Sequence, residues 1–223
     1  MIKGFLDTSM VDWPGKICAV IFLGGCNFRC PFCHNHQLVE SPDSPLKSIT
    51  ETVIFTQLRP LQKWLGGICV SGGEPTLFHG LIPLLTRIKE AGFAVKLDTN
   101  GSRPAVLRDL LDHELIDMIA MDVKAPLEQK KYDRCCGTRV DLGAIQESIE
   151  LILGADISHQ FRMTVVPDFH SSRDIVEWVG AFPAGTQLKL QNYNPATVLD
   201  PERAGKKGFS PEAFTELELM ITC

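Results

Sequence analysis

Three cysteines stand within eight residues at Cys26-Asn27-Phe28-Arg29-Cys30-Pro31-Phe32-Cys33, and no other stretch of the chain is better suited to chemistry. Three close thiolates can hold three irons of a cubane cluster and leave the fourth iron without a protein ligand, whereas closed clusters usually take four Cys. The next cysteine forward is Cys69, far outside ferredoxin spacing. An open iron implies a ligand that is itself a reactant. A tetrahedral zinc site from Cys30, Cys33, His34 and His36 is a competing use of the same residues, although it leaves Cys26 idle. Eight cysteines, two of them adjacent at Cys135 and Cys136, do not read as an oxidised disulfide framework in a chain with no secretory signal.

Cysteines in a loop need a frame to hold them. Short apolar runs at residues 18–23, 67–71, 94–98, 118–122, 160–166 and 187–191 read as six buried strands. Each is followed by a candidate helix, near residues 48–65, 79–91, 103–111, 142–153, 172–179 and 211–220. Leu81, Leu84, Leu85 and Ile88 fall on one helical stripe, with Gly92 following as a C-terminal stop. Regular β-α alternation calls for parallel strands with right-handed crossovers, and six units predict an α/β fold, a partial (β/α)6 open barrel. Catalytic groups of such folds gather at the carboxyl ends of the strands. The cysteine loop follows the first strand, with turns at Ser41-Pro42 and Ser44-Pro45 before the first helix. Ser71-Gly72-Gly73-Glu74-Pro75, Asp98-Thr99-Asn100-Gly101, Asp122-Val123-Lys124, Arg162 and Gln191-Asn192-Tyr193-Asn194 end or occupy the others, so all six sets point at one rim. Taken alone, a Gly-Gly pair there is an ordinary turn, and Asp and Thr are ordinary caps.

Cys-x3-Cys-x2-Cys with Phe32 before the last Cys resembles the signature of the radical S-adenosylmethionine (SAM) enzymes. The segments Val11-Asp12-Trp13-Pro14-Gly15-Lys16 and Phe22-Leu23-Gly24-Gly25-Cys26 through Cys33-His34-Asn35 resemble more closely the activating enzymes of glycyl radical enzymes. Among these, the anaerobic ribonucleoside-triphosphate reductase activating proteins are most similar, along nearly the whole chain. The resemblance implies a radical-SAM-type barrel, a 4Fe-4S cluster on Cys26, Cys30 and Cys33, and SAM chelated to the open iron. One electron from a low-potential cluster, a range reaching roughly −700 mV, would then split the sulfonium and yield a 5′-deoxyadenosyl radical. It further implies that Phe32, Cys33 and His34 lie beside SAM and that Gly72-Gly73-Glu74 binds the methionine amino group. Asp98, Thr99 and Asp122 would form a small monovalent cation site with the SAM carboxylate, Lys124 helping to supply counter-charge. Asp12, His34, Asn35 and Arg162 would surround the glycyl loop of a protein substrate, Arg offering fixed donors and Asp or Asn offering acceptors. One position departs from the pattern: Asn194 stands where the formate-lyase branch has a His, and it can hydrogen-bond the adenosine without carrying charge. Cys18, Cys69 and Cys223 read as core or terminal residues.

The 223 residues, 44% hydrophobic, suit one core and one domain over 1–223. A net charge of −5 gives no case for a nucleic-acid partner, and no run approaches the roughly 18 apolar residues of a membrane span. The expected compartment is the cytoplasm and the expected electron donor a flavodoxin or ferredoxin. Small radical SAM enzymes acting on metabolites, such as the 7-carboxy-7-deazaguanine synthases, share the cluster motif and a similar length, but the Val-Asp-x-Pro-Gly and Cys-His-Asn runs favour an activase. A non-catalytic iron-sulfur protein that passes electrons is the alternative from another class.

Overall fold

Strands that are apolar on both faces must be covered on both faces, and the two sides of this sheet are covered differently. The computed structural model describes residues 1–39, 46–196, 198–203 and 205–221. In chain order it has β1 (Ile2–Ser9), β2 (Cys18–Leu23), α1 (His36–Val39), α2 (Glu51–Leu58), β3 (Gly67–Gly72), α3 (Leu81–Glu90), β4 (Val95–Thr99), α4 (Pro104–Asp112), β5 (Met118–Asp122), α5 (Gln129–Cys136), α6 (Leu142–Gly154), β6 (Ser158–Val165), α7 (Ser172–Val179), β7 (Leu188–Asn192) and α8 (Pro211–Leu219). Among the described residues the strands form one seven-stranded sheet in sequential order, with β2 to β7 parallel and β1 antiparallel on the edge beside β2.

Side chains alternate along each strand and separate two layers. Ile21 and Leu23 of β2, Ile68 and Val70 of β3, Leu97 of β4 and Ile119 and Met121 of β5 pack outward against Leu84, Leu85 and Ile88 of α3, Leu107 and Leu110 of α4 and Ile149 and Ile152 of α6. The intervening residues turn the other way. Cys18 and Val20, Cys69 and Met118 join Trp13 in a second, smaller apolar cluster that fills the amino end of the interior. Cys18 and Cys69 are thus core residues; Cys223 and the turns at 41–45 lie outside the described residues.

The six anticipated strands are present, and three elements go beyond the expectation, the first being the single turn of α1 at the end of the cysteine loop. β1 pairs Ser9 with Cys18 and Ile2 with Leu23, so its connection to β2 lies at the amino end of the parallel strands, opposite the cysteine loop. α5 buries Tyr132, Cys135 and Cys136 in a stretch where none of the expected helices lies. The helix expected over 48–65 is shorter, because Pro60 cannot continue an α-helix and the chain tightens into a single 3-10 turn at Arg59–Leu61. Among the described residues no helix is long and apolar enough to cross a membrane.

Gly67 makes room for the interior plug: a Cβ there would lie 2.6 Å from Cζ3 of Trp13 and 2.8 Å from the backbone oxygen of Ala94. Overpacking of this kind costs about 1–3 kcal/mol. Gly67→Ala should lower the unfolding free energy by that amount, read as a lower urea midpoint with an unchanged m-value, and a wild-type midpoint would show that Trp13 can retreat.

Candidate active site

The cysteine loop leaves β2 at Leu23 and returns through α1, whose carbonyls at Leu38 and Val39 accept from the amides of Gly25 (2.7 Å) and Cys26 (3.2 Å). The Cys33 amide donates to the Cys30 carbonyl at 2.9 Å, closing a tight turn that brings those thiols to one side. All three cysteines are unpaired and line one cavity of about 600 Å³ inside the sheet's carboxyl end. Burial pushes the Cys26 thiol up to about 12 and the Cys33 thiol up to about 11, so iron would displace protons as it binds. Cys30 goes the other way: the neighbouring Cys136 thiol hydrogen-bonds it and lowers it, while Cys136 itself is raised by burial and by that bond. Among the described residues no three His, Cys, Asp or Glu converge on a single ion as a zinc site requires. A cubane with one cysteine per iron needs no such convergence, so the donor set fits it.

The same cavity is lined by Asp12, Phe32, His34, Asn35, Gly72, Gly73, Asp98, Thr99, Asp122, Lys124, Arg162 and Asn194, every expected site residue except Glu74. Asp12 enters from the β1–β2 connection at the amino end, where Ser9 Oγ donates to its carboxylate at 2.5 Å. Phe32 packs edge-on against Phe169, centroids 5.5 Å apart. Asn35 Nδ2 donates to the Gly72 carbonyl at 3.3 Å. Asn194 turns its side-chain oxygen toward its own loop, accepting from the Ala196 amide at 3.0 Å.

The glycines serve a purpose closer to hand than ligand approach. Gly72 has φ +127°, and a Cβ on it would stand 2.2 Å from the Leu23 oxygen, as one on Gly73 would from the Gly25 oxygen. With no Cβ in the way, Gly73 and Glu74 donate their amides to those two oxygens at 2.8 and 2.7 Å and tie the end of β3 to the cysteine loop. The Glu74 side chain turns behind the wall. One carboxylate oxygen accepts from the amide and hydroxyl of Thr76 (3.1 and 2.5 Å) and from Thr99 Oγ1 (2.8 Å), and the other accepts from the Asn100 amide (2.7 Å). Burial pushes this carboxyl up against those four bonds. Within the segment expected beside the methionine amino group, the Glu74 side chain braces the ends of β3 and β4.

Under the cavity runs a ladder of alternating charge. Lys96 and Asp98 share the inward face of β4 two residues apart, and the β5–β6 register sets Asp122 beside Arg162. Asp98 takes Lys96 on one oxygen; the other accepts from Ser71 Oγ at 3.1 Å and Arg162 NH1 at 3.4 Å. Asp122 takes Arg162 Nε at 2.8 Å and Lys124 Nζ at 3.0 Å. Burial alone would raise Asp122, but Arg162 and Lys124 outweigh it and hold the carboxyl well below the usual range. Lys124 is anchored in turn, its amide donating to Tyr132 OH at 3.3 Å and its carbonyl 2.9 Å from His170 Nε2. His170 Nδ1 accepts from the Val166 amide, which leaves the proton on Nε2; burial lowers its pKa. The proposed monovalent cation does not suit this arrangement. Every oxygen of Asp98 and Asp122 already has a protein partner, and Thr99 Oγ1 is engaged with Glu74 and the Gly101 amide. Sequence reasoning passed over Lys96, Tyr132 and His170 and gave Cys136 no place in the site; a lone Lys on the inward register of an apolar strand was the one signal available for Lys96.

A model of the Radical SAM superfamily matches residues 20–179. A Methanocaldococcus jannaschii protein named as a candidate glycyl-radical enzyme activating enzyme is 33% identical over 205 residues, 91% of this chain and 83% of that protein. The pyruvate formate-lyase-activating enzyme of Clostridium pasteurianum is 32% identical over 178 residues, 78% of this chain and 71% of that one. In fold, the chain is similar to Streptococcus suis SuiB bound to S-adenosylmethionine, with TM-score 0.68 at 16% identity over 91% of this chain and 48% of that chain. The chain belongs to the radical SAM superfamily and, within it, to the glycyl-radical enzyme activating enzymes. It is a radical SAM enzyme whose cofactors are a 4Fe-4S cluster and SAM.

Two outcomes follow from this geometry. Glu74→Gln would set a donor against the Asn100 amide, and leaving that buried group unsatisfied should cost about 1–3 kcal/mol in urea unfolding. Asp122 has a folded pKa below its unfolded value, so its contribution is present above the ordinary carboxylate range near about 4 and is lost as pH falls toward the folded value. Melting temperature should therefore fall less steeply on acidification in Asp122→Asn than in the wild type; parallel slopes would count against the ladder.

Proposed function

We propose that this enzyme generates a glycyl radical in a partner protein, anaerobic ribonucleotide reductase. It would work in the cytoplasm, with one domain over 1–223, and take its electron from a flavodoxin or ferredoxin. The observation supporting this most is that three free cysteines and the strand-end residues Gly72, Gly73, Asp98, Asp122 and Lys124 line one cavity with Asp12, His34, Asn35 and Arg162.

In this reading Cys26, Cys30 and Cys33 each hold one iron. Cluster and SAM together supply one-electron cleavage of a sulfonium and a carbon-centred radical at the 5′ position. The protein supplies position and isolation. The Gly73 and Glu74 amides hold the wall, Phe32 and Phe28 keep water from the cysteines, and the ladder presents Lys124 and Arg162 to an anionic group on the cofactor. Asp12, His34 and Asn35 would hold backbone groups of a glycine loop so that one α hydrogen faces the reacting carbon. Arg162 can add only its remaining N–H groups, since Nε and NH1 already serve Asp122 and Asp98.

The test is anaerobic. Protein reconstituted with iron and sulfide, reduced and given SAM should form 5′-deoxyadenosine, and Cys33→Ala should reduce the yield by at least about 100-fold, to the level of uncatalysed background. With the reductase added, a doublet electron paramagnetic resonance signal should grow and its yield should fall in Asp12→Ala. 5′-Deoxyadenosine without that signal would redirect the search to another glycyl radical enzyme or to a small metabolite.

A further inference from the structure

Lys96 reaches the cavity only through Asp98 and touches nothing else placed in the scheme above, and its side chain is 1% exposed. It lies between two unlike layers. On one side it pairs with Asp98; on the other its Nζ is 3.6 Å from Cys69 Sγ in the apolar plug. A Lys buried this deeply is costly unless a carboxylate compensates it, and the Asp98 oxygen it covers is the one that Arg162 and Ser71 leave to it.

The carboxylates lining the cavity are Asp12, Asp98 and Asp122, and the cations lining it are Lys124 and Arg162. Without Lys96 the protein would present three negative groups against two positive ones. With Lys96 the interior balances before any cofactor arrives.

We infer that the Lys96 ammonium is the resident cation of this site, standing in for a monovalent metal ion, so that SAM binding needs neither Na⁺ nor K⁺. Lys96 is a positioning residue: it acts through Asp98, holding that carboxylate and with it Arg162 in place beneath the cofactor. The inference rests on seating SAM in this cavity.

The experiment is anaerobic calorimetry of SAM binding to the cluster-loaded enzyme in KCl, NaCl and tetramethylammonium chloride at one ionic strength. Wild-type dissociation constants should agree within about twofold, and ²⁰⁵Tl NMR of the same sample should show no bound Tl⁺. Lys96→Met should bind SAM about tenfold or more weakly in tetramethylammonium and recover in KCl or NaCl as the small ion fills the vacated place. A wild type that binds SAM only with Na⁺ or K⁺, or that binds Tl⁺, overturns the inference while leaving the cavity as the SAM site. So does a Lys96→Met protein whose affinity and melting temperature drop alike in all three salts, since that is a structural role alone. Absence of SAM binding in every buffer overturns the cavity assignment and this inference with it. The wild-type salt series decides the matter even if Lys96→Met does not fold.

Discussion

Charges taken out of water must find their opposites within a few ångströms, because an unpaired buried ion costs several kcal/mol. Lys96, Asp98, Arg162, Asp122 and Lys124 meet that condition only in one strand register. A slip of one residue in β4 or β6 would send Lys96 or Arg162 into the outer layer beneath the helices and bring Leu97 or Met163 inward. The polar interior therefore selects the pairing as firmly as the apolar exterior does. The two layers are read from the same strands at alternate positions, which is why Cys69 and Val70, neighbours in sequence, belong to different clusters.

The cysteine loop has few regular elements of its own and borrows its order from what surrounds it. β3 reaches it through the Gly73 and Glu74 amides, and α5 reaches it through the Cys136 carbonyl, which accepts from the Arg29 amide at 2.7 Å. Asn100 reaches it through Asn27, with the Asn100 Nδ2 donating at 3.0 Å. Glu74 joins two of these supports, since one carboxylate grips both the turn after β3 and the residues ending β4. A loop held on three sides is preorganised, and little conformational entropy is left to lose when ligands arrive.

Six strands were legible because each is a short apolar run between turn residues, and α3 because Leu81, Leu84, Leu85 and Ile88 keep helical spacing. β1 escaped notice since Gly4, Asp7 and Thr8 dilute its apolar pattern; it is recruited by pairing with β2 rather than by its own composition. α5 is polar along most of its length, and only Tyr132, Cys135 and Cys136, spaced three and four apart, mark its buried side. Site residues were legible wherever a motif ended a strand. Glu74 shows the limit of that reading: a motif places a residue near the chemistry without saying whether its side chain faces the cavity or the scaffold. Lys96 shows the converse, a residue outside every motif whose role follows from packing and charge alone.

Lys124 is where the two halves of the site meet. Its ammonium closes the ladder at Asp122, while its backbone is held by Tyr132 and His170, and Tyr132 belongs to the helix that carries Cys136 to the back of Cys30. The Asp122 carboxylate also faces Cys30 and works against its ionisation, whereas Lys124 favours it. Charge on the ladder and charge on the cysteine loop are therefore not independent. Moving Lys124 away from Asp122 would at once unbalance the ladder and remove a cation that favours thiolate at Cys30. Fixing its backbone from α5 and from the turn after β6 keeps one ammonium in the position where both demands are met.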